Sequence, residues 1–130
     1  MAELNLIVVT PEATVVDAKT AFVAVPFYDG EVGIAANHAP LIGRLGYGEL
    51  RFDDAGKTQR YFIDGGFVQI ADNVVSVMAD RAIASHQLKA DEARERLSAA
   101  AGETASGEQI DEREKRVAQA RAMLRVAERS

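Results

Sequence analysis

Glu49-Leu-Arg-Phe52, Asp53-Asp54-Ala55-Gly56 and Lys57-Thr-Gln-Arg-Tyr-Phe-Ile63 follow one another in mid-chain and read as strand, turn and strand. The flanks are rich in the aromatic and β-branched residues that suit a pleated, half-buried surface. The Asp-Asp-Ala-Gly step between them supplies the turn chemistry of a hairpin. Outward from this hairpin the same signal repeats. Leu4, Leu6 and Val8 alternate with Asn5, Ile7 and Val9, and Ala21–Val25, Gly66–Ile70 and Asn73–Met78 are further short apolar runs. Asp64-Gly65-Gly66 and Asp72-Asn73 mark the next expected reversals. Eight to ten strands at this spacing, with no helical pattern between them, point to a β-sandwich or barrel with a thin core.

The pattern changes near Ser85. All eight aromatics, all three prolines and eight of the ten glycines precede it. Beyond it, Leu88, Ala93, Leu97 and Ala100 or Ala101 form one apolar stripe, and Ile110, Val117 and Leu124 recur every seven residues with Ala120 and Ala127 between them. Gly102–Gly107 separates the two stripes. The whole is expected to be a β + α chain, with a β domain at 1–85 and an antiparallel helical hairpin at 86–130. Alanine faces bury little area, so the hairpin should grip the sandwich weakly and be able to move as a unit.

Charge and chemistry exclude several classes. Fifteen basic against twenty acidic residues give a net charge of -5, which argues against a general nucleic-acid footprint. The lack of cysteine removes disulfides, thiolate nucleophiles and cysteine-based metal sites. The two histidines, His38 and His86, stand at no metal-ligand spacing, and no phosphate-cradle motif follows a strand, so neither metal nor cofactor is expected. Serines that could be assembled with histidine and aspartate lack a nucleophile elbow, so the chain is not expected to be an enzyme. No apolar run reaches the roughly 20 residues of a membrane helix, and the N-terminus lacks the basic start of a signal peptide. The glycines of Gly43–Gly48 are read as bulge and turn residues.

Asp29–Ile42 stands apart. Gly30 and Gly33 flank Glu31 and permit positive φ on either side of it, while Pro40 biases Ala39 to an extended shape. The segment is either a rigid loop closing the sandwich, with His38 bonding neighbouring backbone, or a partner-docking tip.

In order, the Leu4–Pro11 strand, the Gly30-x-x-Gly33 and Asn37-His38-Ala39-Pro40-Leu41 segment, Leu45-x-x-Gly48, Gly65-Gly66-Phe67 and a charged helical pair resemble the epsilon subunit of F-type ATP synthases (delta in mitochondria). The resemblance covers nearly the whole chain. It implies a flattened β-sandwich of about ten strands that binds the gamma subunit and faces the membrane c-ring. The subunit is then a non-catalytic rotor element coupling the catalytic head to the proton-driven ring. In bacterial members the hairpin either folds on the sandwich or extends toward the alpha and beta subunits and hinders ATP hydrolysis. The implied location is peripheral, on the cytoplasmic face of a bacterial inner membrane or on a plastid thylakoid.

On this reading Glu31, His38 and Pro40 lie at rotor contacts. Arg121, Arg125 and Arg129 form a basic stripe toward the acidic head. Residues 113–130 carry six basic and two acidic groups, against three and seven in 86–112, so the helices attract each other when folded. ATP-binding members carry Ile or Leu, Asp, two variable residues, Arg and Ala, whereas Leu88–Ala93 has Lys89 and Glu92 at the charged positions, so nucleotide binding should be feeble. A free-standing β-sandwich ligand-binding module with a helical tail is the alternative.

Overall fold

In the computed structural model, residues 3–102 and 109–128 are described. Eight strands come first: β1 (Leu4–Val9), β2 (Thr14–Thr20), β3 (Phe22–Phe27), β4 (Gly30–Ala35), β5 (Leu41–Asp54), β6 (Lys57–Ala71), β7 (Val74–Ala79) and β8 (Ala82–Ala84). A 3-10 turn at Ser85–Gln87 leads to helices α1 (Ala90–Gly102) and α2 (Gln109–Glu128). The strands run β2-β1-β7-β6-β5-β3-β4, with β8 also on β6 and only the β1–β7 pair parallel.

The expected count of about ten strands becomes eight because β5 and β6 do not break. They stay in one antiparallel register from Leu41↔Ile70 to Asp54↔Lys57, yet the inward face changes along them. Leu41 and Leu45 face the core on one half of β5, and Leu50 and Phe52 on the other; on β6 Tyr61 and Ile63 give way to Val68 and Ile70. The odd-to-even change falls at Gly46–Gly48 and Gly65–Gly66. Asp64-Gly65-Gly66 is therefore no reversal but the crossing point of a continuous strand. Gly65 and Gly66 take φ of 71° and 115°, and a Cβ on Gly66 would collide with the Met78 carbonyl oxygen, so only glycine fits.

The other turns follow their local chemistry. Ala55-Gly56 and Asp72-Asn73 are two-residue hairpin turns with positive φ at both positions, the type I′ geometry that matches strand twist. Gly43–Gly48 lies wholly within β5, where close approach rather than a bulge selects glycine: a Cβ on Gly46 would meet the Phe27 carbonyl oxygen at 2.8 Å. Gly33 has ordinary φ, and the Phe22 ring lies over it.

Two apolar clusters result. The larger, between the layers, joins Leu4, Leu6, Val8, Val23, Val25, Ile34, Leu50, Ile63, Val75 and Val77, among others. The smaller joins Phe62 to Ala93, Ala122, Met123 and Val126, with Tyr47, Ile83, Leu88 and Leu124 at its edge. It fixes the helices against the outer face of β5 and β6. The heptad residues are only part of this packing. Val117, Ala120 and Leu124 are buried or half-buried, but Ile110 is exposed, and the face toward Phe62 is Ala122, Met123 and Val126.

Candidate partner-docking surfaces

The Asp29–Ile42 segment is mostly strand. Gly30–Ala35 is β4, an edge strand paired, among the described residues, only with β3, and the loop is confined to residues 36–40. Asn37, with φ of 65°, donates its backbone N–H to Asn73 Oδ1 at 2.6 Å, which ties the loop to the β6–β7 turn. His38 Nδ1 lies 2.7 Å from the Ala39 carbonyl oxygen, the neighbouring-backbone contact that a rigid loop requires. His38 is half-buried and Pro40 exposed.

Glu31 is not with them. It begins β4, opposite Pro26, so the strand, at about 3.3 Å per residue, puts it roughly 15 Å from the loop. Its carboxylate accepts from Arg51 Nη1 at 2.8 Å. The same nitrogen is 4.0 Å from Glu49 Oε1, which Arg60 Nη1 approaches at 2.9 Å. Glu49 is only 5% exposed, and a carboxylate so buried is tolerable only when paired. The bond from Glu31, with its charge and that of Glu49, raises the Arg51 pKa against the opposing effect of burial.

Glu49 and Arg51 alternate with Tyr47 on the β5 face that meets α2. Opposite them on β6 stand Asp64, Phe62 and Arg60. Gln119 of α2 donates to Asp64 Oδ1 at 2.9 Å, and Arg81 pairs with Asp64 Oδ2 at 3.0 Å while its guanidinium lies 5.8 Å over the Phe62 ring. Docking of the hairpin thus rests on a small apolar cluster framed by polar anchors. Within α1, Arg94 pairs with Asp91 at 2.9 Å, and it reaches across to Glu128 of α2 at 3.3 Å. Asp91 and Arg94 have the acid-to-arginine spacing that Leu88–Ala93 lacks, two residues further along.

Arg121 and Arg125 are exposed on α2; Arg129 lies outside the described residues. Arg125 lines a cleft with Glu31 and Glu49, whereas Arg121 lies toward the α1 side with Ala101, Arg113 and Val117.

One surface escaped the sequence reading. On the outer face of β5, β6 and β7, Ile42 is 73%, Phe67 57% and Met78 43% exposed. Phe67 and Met78 are direct cross-strand partners, and Ile42 stands beside them through its pairing with Gln69. Val9, half-buried on β1, continues the strip opposite Met78. Apolar residues on both faces of β6 and β7 were the available signal.

Comparison with known proteins supplies the family. Residues 3–85 match the model of the ATP synthase delta/epsilon chain β-sandwich domain. The chain belongs to the ATP synthase delta/epsilon family. It is 44% identical over 125 residues to the ATP synthase epsilon chain of Rhodopirellula baltica, covering 95% of this chain and 98% of that one. It is 37% identical over 130 residues to that of Symbiobacterium thermophilum, covering 97% and 92%. Its fold is similar to a chain of the Euglena gracilis mitochondrial ATP synthase structure of OSCP, F1 and c-ring, at TM-score 0.77, 21% identity, and 98% and 79% coverage. A chain in the central stalk and c-ring structure of the Tetrahymena thermophila mitochondrial ATP synthase gives TM-score 0.75 at 12% identity, with 97% of each covered. As an epsilon-type chain it is an accessory, non-catalytic part of ATP synthase, peripheral to the membrane sector. No helix among the described residues is long and apolar enough to cross a membrane.

Proposed function

We propose that the chain is a rotor subunit whose β half, residues 1–85, binds gamma and abuts the c-ring, while the hairpin, residues 86–130, regulates ATP hydrolysis. The observation that carries this reading is the apolar strip of Ile42, Phe67 and Met78 on a face that the hairpin leaves uncovered. Neighbouring large apolar residues on an outer sheet face suit a protein partner, and family membership supports gamma as that partner. The loop of His38 and Pro40, held to the β6–β7 turn, offers a stiff edge for the polar loops of the c-ring; Glu31 belongs to a second edge. On this reading the subunit works on the cytoplasmic face of a bacterial inner membrane and meets alpha and beta when the hairpin extends, with Arg121, Arg125 and Arg129 toward the acidic head.

Co-purification with gamma tests the docking half. Ile42→Ser with Phe67→Ser should lower gamma retention at least tenfold while strand content stays unchanged. Full retention by that folded double variant would refute the assignment of the strip.

A further inference from the structure

Resting on the reading of the hairpin as a regulatory element, we propose that Arg125 is a shared arginine. In the folded hairpin it closes a latch over the Glu31–Arg51–Glu49–Arg60 network, and it must leave that network before it can join the basic stripe.

The geometry supports this at three points. First, α2 packs on the outer face of β5 and β6, beside a patch where acids and arginines meet: Glu49 and Arg51 on β5, Arg60 on β6 and Glu31 near the start of β4. Second, a cleft of about 160 Å³ is walled on the sheet side by Gly30, Glu31, Tyr47 and Glu49, and on the helix side by Ala122, Arg125 and Val126. Arg125 therefore lines the same cleft as two carboxylates, with Ala122 and Val126 beside it on the helix side. Third, the apolar part of the docking surface is small. Ala93, Ala122, Met123 and Val126 around Phe62 leave polar groups a large share in deciding whether the helix stays.

The chemistry then couples two states. Burying Glu49 opposes docking unless positive charge offsets it, and Arg60, Arg51 and the approaching Arg125 provide that charge. Once the helix lifts, Glu49 and its partners become surface ion pairs of little strength, so the sheet loses little by releasing it. Arg125 is one turn beyond Arg121, on the same stripe. While Arg125 lines the cleft of Glu31 and Glu49 it is unavailable to any other anionic surface, so latch and stripe are alternative uses of one side chain.

The chain lacks cysteine, so a single Ala122→Cys substitution gives a clean reporter: Ala122 is 1% exposed on the sheet-facing side of the docked α2, and its thiol labels only when the hairpin opens. In the isolated full chain at low salt, Glu31→Gln and Arg125→Ala should each speed labelling about 3- to 10-fold, and the double variant should be no faster than the faster single one. A Val77→Cys reporter in the sandwich core should not change its rate in any variant. Unchanged labelling at position 122, multiplying effects in the double variant, or equal acceleration at position 77 would each overturn the latch. The catalytic head is absent from this experiment, so its outcome is independent of whether the released helix slows hydrolysis.

Discussion

Phe62→Ala isolates the attachment of the hairpin. Phe62 is fully buried, yet it sits on the outer face of β6, and its apolar cover comes largely from Ala93, Ala122, Met123 and Val126 of the helices. A ring lost from an ordinary core costs about 3–5 kcal/mol of global stability. Here the ring becomes solvent-exposed whenever the hairpin lifts, so docking loses only the transfer share, about 1.5–3 kcal/mol. That corresponds to a roughly 10- to 150-fold larger open population. The Ala122→Cys reporter should accelerate by that factor, and the Val77→Cys reporter should keep its rate. If both reporters accelerate together, sandwich and hairpin unfold as one unit and the argument fails; if neither does, Phe62 does not hold the helices.

Gly66→Ala should destabilise the sandwich by about 3 kcal/mol or more, since a positive φ and a backbone clash act together; urea unfolding followed by circular dichroism measures it. Residues 1–85 alone should fold and retain gamma, because the larger cluster takes every member from that segment; amide dispersion and pull-down check this. Gln119→Ala removes the donor to Asp64 and should speed labelling at position 122 by about 2- to 10-fold. Changing Arg121, Arg125 and Arg129 together to Ala should raise ATP hydrolysis by the assembled enzyme at low salt and leave gamma binding intact, and added salt should shrink the difference.

What the sequence discloses and what it hides divide along physical lines. The Asp54–Lys57 and Asp72–Asn73 turns are legible because their residues carry the required φ values locally. Asp64-Gly65-Gly66 carries the same local signal but lies opposite an unbroken β5, so only pairing reveals a strand that crosses between layers. Glu31 reads as a loop residue because two glycines flank it, whereas the backbone is extended and the Phe22 ring accounts for Gly33. Glu49 gives no sign of burial, since acids are ordinarily exposed and its partner Arg60 is brought near by the hairpin register. On α2 the heptad of Val117 and Leu124 is visible, but alanine is neutral in such patterns, so the Ala122, Met123 and Val126 face emerges only against Phe62. The resemblance identified the family from short ordered motifs; the apolar strip of Ile42, Phe67 and Met78 needed the sheet order to bring it together.

A sandwich that binds the rotor and a separable hairpin that restrains hydrolysis make different demands on a shortened chain. ATP hydrolysis by membranes carrying the full chain, compared with membranes carrying a chain ended at residue 85, separates the two roles. Hydrolysis should be faster with the shortened chain, which stays bound in the complex and still supports ATP-driven proton pumping. Equal hydrolysis with both chains, in complexes shown to hold equal amounts of each, would contradict the restraining role of the hairpin.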